Sequence, residues 1–197
     1  MTSPSQGWRR WPPNSTALFN HSQKSKANPR YYSSLRETIE FACEQGHLEV
    51  LKFLLNIAPQ GLDINCLATA CSFGHLEVVK YLVKKGLDPC LYTRMRCVPV
   101  LCAVRSGSFL ILEYLHSKGF NVFGPFEGKV SLVEAVDCGH LDIANFLIRN
   151  GADVNTPNRN GETPIAMACK HGRLKMIKFL IAKGADYNSP SLLLKAI

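Results

Sequence analysis

The sequence predicts an all-α solenoid, in which helix-turn-helix units stack in a row and extended finger loops join them. Five segments align on a glycine that opens an apolar helix, and these anchor glycines recur at intervals of 28, 33, 32 and 33 residues. In four of the five segments a second glycine follows twelve residues later. The anchors are Gly46, Gly74, Gly107, Gly139 and Gly172. A period near 33 residues is typical of repeat proteins, whose units bury their apolar faces against one another.

Residues 1–34 precede the repeats and differ from them in composition. They contain seven serines, four prolines and both tryptophans, and six basic residues of the chain come before its first acid, Glu37. Such a segment buries too little apolar area to offset the entropy of ordering, so we expect a disordered basic tail. A solvated tail is the favoured interpretation. A nuclear-import or docking motif and an organelle transit peptide are the alternatives.

Within each unit the apolar pattern predicts two helices separated by a tight turn. In the fourth unit residues 131–136 begin the first helix and residues 137–140 form the turn, and apolar residues at helical spacing follow. We expect Gly151 to end the second helix as a left-handed cap. In the fifth unit we expect Thr163 to cap the first helix and Pro164 to occupy its first turn.

The two ends of the array depart from this pattern. Only nine residues separate Gly61 from Ala70, whereas seventeen separate Gly151 from Ala168, so the first finger is expected to be largely missing. Residues 191–197 resemble the first helix of a sixth unit that stops before its turn. We therefore place five repeats and a C-terminal half repeat in residues 35–197. Whether that half repeat is a cap or continues into a longer protein stays open.

The best-formed segments resemble ankyrin repeats. The resemblance rests on residues 151–155 (GADVN), 161–168 (GETPIAMA) and 74–83 (GHLEVVKYLV), and it extends over most of the chain. It implies antiparallel helix pairs stacked into a curved solenoid, with β-turn fingers projecting nearly at right angles. It also implies a role in binding another protein.

Charge and hydropathy narrow the possible partners. The net charge is +8, but the six basic residues before Glu37 leave the rest of the chain with 17 basic and 15 acidic residues. The solenoid therefore lacks the excess charge that phosphate neutralisation needs, and we do not expect it to bind nucleic acid. The longest apolar run, residues 97–104, is far shorter than the roughly 20 residues that span a bilayer. We expect a monomer in the cytoplasm or nucleus.

Cysteines and histidines do not form a recognisable metal or catalytic pattern. The eight cysteines contain no C-x-x-C pair. Three of them, Cys43, Cys71 and Cys169, share one repeat position, where we expect small buried side chains. The other five, Cys66, Cys90, Cys97, Cys102 and Cys138, are less regularly placed, and we expect all eight to be free thiols in a reducing compartment. The aligned histidines, among them His75 and His140, would lie too far apart to hold one ion, and we expect each to hydrogen bond across the turn between its own two helices. We predict no enzyme activity, cofactor or metal.

Candidate partner-binding residues occupy the variable positions of the repeats. On the inner helix face the residues just before each anchor glycine vary, and there Phe73 is an aromatic residue where polar ones otherwise stand. The fingers add aromatic, methionine and arginine residues, the types enriched at binding hot spots. The full candidate set is Phe73, Tyr92, Arg94, Met95, Arg96, Arg105, Phe123, Phe126, Arg159 and Lys170.

Each candidate also has an ordinary structural explanation. Phe123 could fill an irregular finger, Arg94 and Arg96 could lie in a solvated loop, and residues 158–161 read as an ordinary turn. A further pattern, Leu147 followed by Asp-Val-Asn at 153–155, resembles the asparagine-hydroxylation motif of some ankyrin proteins. It makes Asn155 a candidate modification site, although the same residues belong to the consensus of the fold.

The function predicted from these observations is a non-enzymatic protein–protein interaction module, which binds its partner through the concave face and the finger loops. One alternative is the target-recognition part of a larger enzyme complex, such as a ubiquitin-ligase adaptor or an effector. Another is tethering to nucleic acid or to an anionic membrane through the basic tail.

Overall fold

A computed structural model describes residues 29–90, 99–122 and 131–187, with side chains from residue 35 onward apart from Gln60 and Ser131. This part of the chain contains ten α-helices, one 3-10 helix and no strand. The helices form five consecutive pairs: α1 (Pro29–Glu44) and α2 (Leu48–Ile57), α3 (Ile64–Ser72) and α4 (Leu76–Lys84), α5 (Pro99–Arg105) and α6 (Phe109–Ser117), α7 (Ser131–Cys138) and α8 (Leu141–Arg149), α9 (Pro164–Lys170) and α10 (Leu174–Ala182). The predicted all-α solenoid is confirmed.

Helix α1 begins at Pro29, ahead of the residue at which we expected the repeats to start. Residues 1–28 of the tail and residues 188–197 of the half repeat lie outside the described residues.

A continuous apolar core runs along the array. Four residues before each anchor glycine stands an alanine, and all five alanines are buried, which lets the two helices of each repeat approach closely. Eight residues after the anchor stands a leucine, and Leu82, Leu115, Leu147 and Leu180 are all 0% exposed. The same few repeat positions therefore build the core in successive units.

The two helices of each pair form two separate rows. Each first helix packs against the first helices before and after it along the whole array, whereas among the second helices only α4 and α6 pack closely on each other. The row of first helices is the more tightly packed, as expected for the concave side of a curved solenoid. We therefore assign the first helices to the concave side and the second helices to the outer layer.

The predicted helix caps are confirmed. Thr163 Oγ1 accepts a hydrogen bond from the Ala166 amide, and Pro164 is the first residue of α9. Gly151 follows α8 with φ at 103°, in the left-handed region expected of a capping glycine.

The connection between the first two repeats is short, as predicted. A 3-10 helix at Pro59–Gly61 follows α2, and α3 begins at Ile64, so no finger separates the two units. After the fourth repeat a full finger is present. Its tip is a turn in which the Gly161 amide donates to the Asn158 carbonyl over 3.0 Å, as expected for an ordinary turn.

The histidines of the repeats join neighbouring units. His75 Nε2 lies 2.6 Å from the carbonyl oxygen of Glu44, and His140 Nε2 lies 3.0 Å from that of Arg105, in each case in the preceding repeat. In the fifth repeat Arg173 stands at this position, and its Nη1 donates to the Val136 carbonyl over 3.1 Å. The expectation that each histidine bonds across its own turn is therefore wrong. These side chains instead satisfy carbonyls at the end of the previous first helix.

The cysteines follow the prediction only in part. Six are free in the described residues, and burial raises the pKa of the Cys71 thiol, which is consistent with a small apolar core residue. Cys169 shares this position but is exposed, because the position faces the following repeat and the fifth repeat is the last in the described part of the chain. The expectation of free thiols is wrong for Cys102, which is disulfide-bonded.

Exchanging Gly46 for alanine is expected to destabilise the protein more than the same exchange at Gly86. Both glycines have left-handed φ angles, 70° and 95°, so both variants pay a penalty of about 1–2 kcal/mol. A Cβ at Gly46 would also overlap the ring of His75, whereas at Gly86 nothing lies within 4 Å. Displacing His75 breaks its hydrogen bond, which adds about 1 kcal/mol. Urea unfolding followed by circular dichroism measures the difference, and equal losses at the two sites would contradict this account.

Candidate functional site

Phe73 stands out on the concave side of the array. It lies directly after α3, and 56% of the residue is exposed to solvent. The same repeat position carries polar or small residues in the other units, namely Gln45, Ser106, Cys138 and His171. An exposed aromatic residue at a position that packing does not constrain is a candidate anchor for a partner.

Arg105 is held rigidly across the boundary between the third and fourth repeats. Its Nε and Nη2 donate to the two carboxylate oxygens of Glu134 over 2.9 and 2.8 Å. These hydrogen bonds raise the pKa of Arg105 further above its already high value. The side chain is still 51% exposed, so the guanidinium presents a fixed charge to solvent.

Two further side-chain pairs continue this surface towards the fifth repeat, one between a histidine and a carboxylate and one between a lysine and a carboxylate. His171 Nε2 lies 2.7 Å from an Asp137 carboxylate oxygen, and Lys170 Nζ lies 3.6 Å from Glu162 Oε1. Exposed pairs of this kind contribute about 0–1 kcal/mol each to stability. Arg105 on the third repeat and Lys170 on the fifth are positive, and the carboxylates of Glu134 and Asp137 on the fourth repeat are negative, so the charge alternates from repeat to repeat.

The finger candidates fall into two groups. Arg159 is exposed at the tip of the fourth finger, in a turn whose Asn158 side chain accepts hydrogen bonds from the amides of Asn160 and Glu162, both over 2.9 Å. The other finger candidates lie outside the described residues: Tyr92, Arg94, Met95, Arg96, Phe123 and Phe126. For these the sequence expectation stands as a prediction.

Asn155 fastens the fourth finger to the end of the fifth repeat. Its side-chain amide donates to the Gly184 carbonyl over 3.3 Å, and its side-chain oxygen accepts from the Asp186 amide over 2.8 Å. Because the side chain must both donate and accept a hydrogen bond here, these two bonds explain why an asparagine stands at this position. Its modification remains a prediction.

One group of side chains in the described residues has the spacing of a metal site. Ligand atoms of Glu134, Asp137 and Cys138 lie within 4.8 Å of one another on α7. The two carboxylates already bind Arg105 and His171. The arrangement therefore fits the charge pairs described above.

Glu134 belongs to this surface but is not among the residues predicted from the sequence. A usable signal exists, because the repeat position of Glu134 holds an uncharged residue in the other four repeats: Phe41, Thr69, Cys102 and Met167. A charge at this position indicates a partner on a neighbouring repeat. The residue two before the anchor of the preceding repeat, Arg105, is that partner.

None of the described helices is long and apolar enough to cross a bilayer.

Together these features define a helical-repeat solenoid with a constant core and variable residues at the ends of its first helices. A family model described as ankyrin repeats, in three copies, matches residues 39–124 and 102–191. The matches span most of the sequence, and the chain belongs to the ankyrin-repeat family.

Two curated relatives are similar to this chain. A putative ankyrin repeat protein of Rickettsia felis is 38% identical over 76 residues, which is 37% of this chain and 33% of that protein. A putative ankyrin repeat protein of Fowlpox virus is 27% identical over 141 residues, 71% of this chain and 79% of the viral protein. The chain thus matches about a third of the length of the rickettsial protein.

Proposed function

We propose that this protein is a non-enzymatic interaction module that binds one partner protein across its concave face and finger loops. Ankyrin repeats are in general protein–protein interaction modules and typically have no catalytic activity of their own. The observation that carries the proposal is Phe73, an aromatic residue that is 56% exposed at a variable position of the concave side.

Burial of Phe73 would supply a substantial part of the binding energy. Covering about 100 Å² of apolar surface is worth about 2.5 kcal/mol, and aromatic residues are frequent hot spots. The neighbouring first helices leave this side chain accessible, so the partner needs an apolar pocket to receive it.

The charge pairs supply specificity. Arg105 is already oriented by Glu134, so a partner that approaches it loses little side-chain entropy. Alternating charges on the concave side of the third to fifth repeats favour a partner with the complementary order of charges and oppose one with the reverse order. The partner is therefore expected to carry its apolar contact on one side of a charged strip.

The proposed module acts as a monomer in the cytoplasm or nucleus. The free thiols of Cys43, Cys66, Cys71, Cys90, Cys138 and Cys169 favour such a compartment, whereas the disulfide bond of Cys102 counts against it.

Phe73→Glu is expected to weaken capture of the partner protein at least tenfold, because it places a charge in the centre of an apolar contact. Leu110→Glu is the matched control: Leu110 is 61% exposed but lies on α6, in the outer layer. Affinity capture with the native chain identifies the partner, and titration of the purified partner against both variants measures the effect. Equal losses for the two variants, or none for Phe73→Glu, would refute binding at the concave face.

A further inference from the structure

The N-terminal side of the first repeat exposes a set of large apolar side chains. Phe41 is 59% exposed, Val50 48% and Phe53 58%. A terminal repeat normally carries a polar outer face, because no further unit covers it. These three residues instead form an apolar surface, which we call the N-terminal face.

The repeat position of Val50 is buried in every later repeat. Val50 stands four residues after its anchor glycine, and its counterparts are Val78 at 1%, Ile111 at 1%, Ile143 at 0% and Met176 at 3% exposure. The position is therefore a core position wherever another repeat precedes it.

At the repeat positions of Phe53 and Phe41, side chains in later repeats contact the preceding unit. The counterparts of Phe53 contact the repeat before them: Tyr81 lies under Lys52 Nζ at 6.0 Å, and Phe146 packs edge-on against Phe109 with centroids 5.5 Å apart. At the position of Phe41, Glu134 binds Arg105 of the preceding repeat. Counterparts of Phe53 and Phe41 thus contact the previous unit, and the counterparts of Val50 are buried in every repeat that has one before it.

A polar group completes the face. His47 aligns with His75 and His140, which bond carbonyl oxygens of the preceding repeat at 2.6 and 3.0 Å. His47 itself is exposed. The N-terminal face therefore offers the apolar contacts and the hydrogen-bonding group that elsewhere in the array hold a neighbouring repeat.

We propose that the N-terminal segment of this same chain, residues 8–19, packs onto the N-terminal face and caps the solenoid. The segment carries Trp8, Trp11, Leu18 and Phe19, the largest apolar side chains before α1. A composition that disfavours order in an isolated segment is compatible with this role, because the face supplies the apolar surface that the segment lacks.

The segment can reach the face. Phe41 lies twelve residues into α1, about 18 Å along the helix axis from Pro29. Phe19 is ten residues before Pro29, and ten extended residues span up to about 33 Å. A tethered segment of this length also acts at an effective concentration of about millimolar, which favours it over a second copy of the chain at ordinary protein concentrations.

Tryptophan fluorescence tests the proposal directly, because Trp8 and Trp11 are the two tryptophans of the chain. In the full-length protein their emission is expected to lie to the blue of that of the urea-unfolded chain and to be protected from acrylamide. Introducing Val50→Asp and Phe53→Asp together should move the emission to the red and abolish the protection. Leu110→Asp, an equally exposed apolar position on α6, should leave both unchanged.

Each other outcome contradicts the proposal. Native emission equal to that of the unfolded chain would show that the tryptophans remain in water. A blue shift that survives the double variant would place them elsewhere on the protein. A blue shift that disappears on dilution, together with a dimer by light scattering, would make a second copy the occupant. Circular dichroism checks that the double variant keeps its helices, and if it does not, Phe41→Ser with Phe53→Ser provides the same test.

Discussion

Replacement of Leu82 by alanine is expected to lower the free energy of unfolding by about 2–5 kcal/mol, and so is replacement of Leu147. Both side chains are 0% exposed, Leu82 in α4 and Leu147 in α8, at the repeat position that fills the core of successive units. Removing three heavy atoms from so closely packed a site leaves a cavity that the neighbouring helices fill only in part. Urea unfolding monitored by circular dichroism gives the loss.

Leu110→Ala is the matched control for these two variants. Leu110 is 61% exposed on α6, so its removal should cost less than about 0.5 kcal/mol. Losses below about 1 kcal/mol at both Leu82 and Leu147 would mean that the buried face of the second helices has been wrongly assigned.

The combined change Tyr92→Ala, Met95→Ala and Arg96→Ala is expected to weaken the complex with the partner protein by at least about 2 kcal/mol, or about 30-fold in Kd. These residues follow α4 in the long connection to α5. They are of the types that dominate binding hot spots, and a finger contributes little to the packing of the stack. Helix content should therefore stay unchanged while affinity, measured by calorimetry with the purified partner, decreases.

The control for the finger variant is Lys84→Ala with Lys85→Ala, at the end of α4 in the outer layer. Both lysines are exposed, and their loss should cost less than about 0.5 kcal/mol of binding energy. Greater damage from the lysine pair than from the finger change would place the binding surface on the outer layer.

Much of the fold could be predicted because it depends on local signals. Thr163 and Pro164 start a helix by interactions within one turn, and Gly151 ends one through its own backbone angle. The missing first finger follows from a count of residues between Gly61 and Ala70. Each of these features is determined by residues close together in the sequence.

The contacts that shape the candidate site could not be predicted in the same way. Arg105 and Glu134 are 29 residues apart, and His140 lies 35 residues from the carbonyl that it binds. Such pairs depend on how one repeat is set against the next, a geometry that the pattern of a single repeat does not contain. For this reason the histidines were assigned to the wrong turn, and Glu134 was not recognised as the partner of Arg105.

The short connection at residues 58–63 also affects how the array comes apart. It joins α2 to α3 with six residues, whereas thirteen or fourteen residues join the later repeats to one another. Loop-closure entropy grows with the logarithm of length, so docking the first two repeats costs about 0.7 kcal/mol less than docking any later neighbours. Under heat or mechanical load the first two repeats should therefore stay docked to each other and unfold as one unit. Separation should begin at one of the later interfaces between repeats.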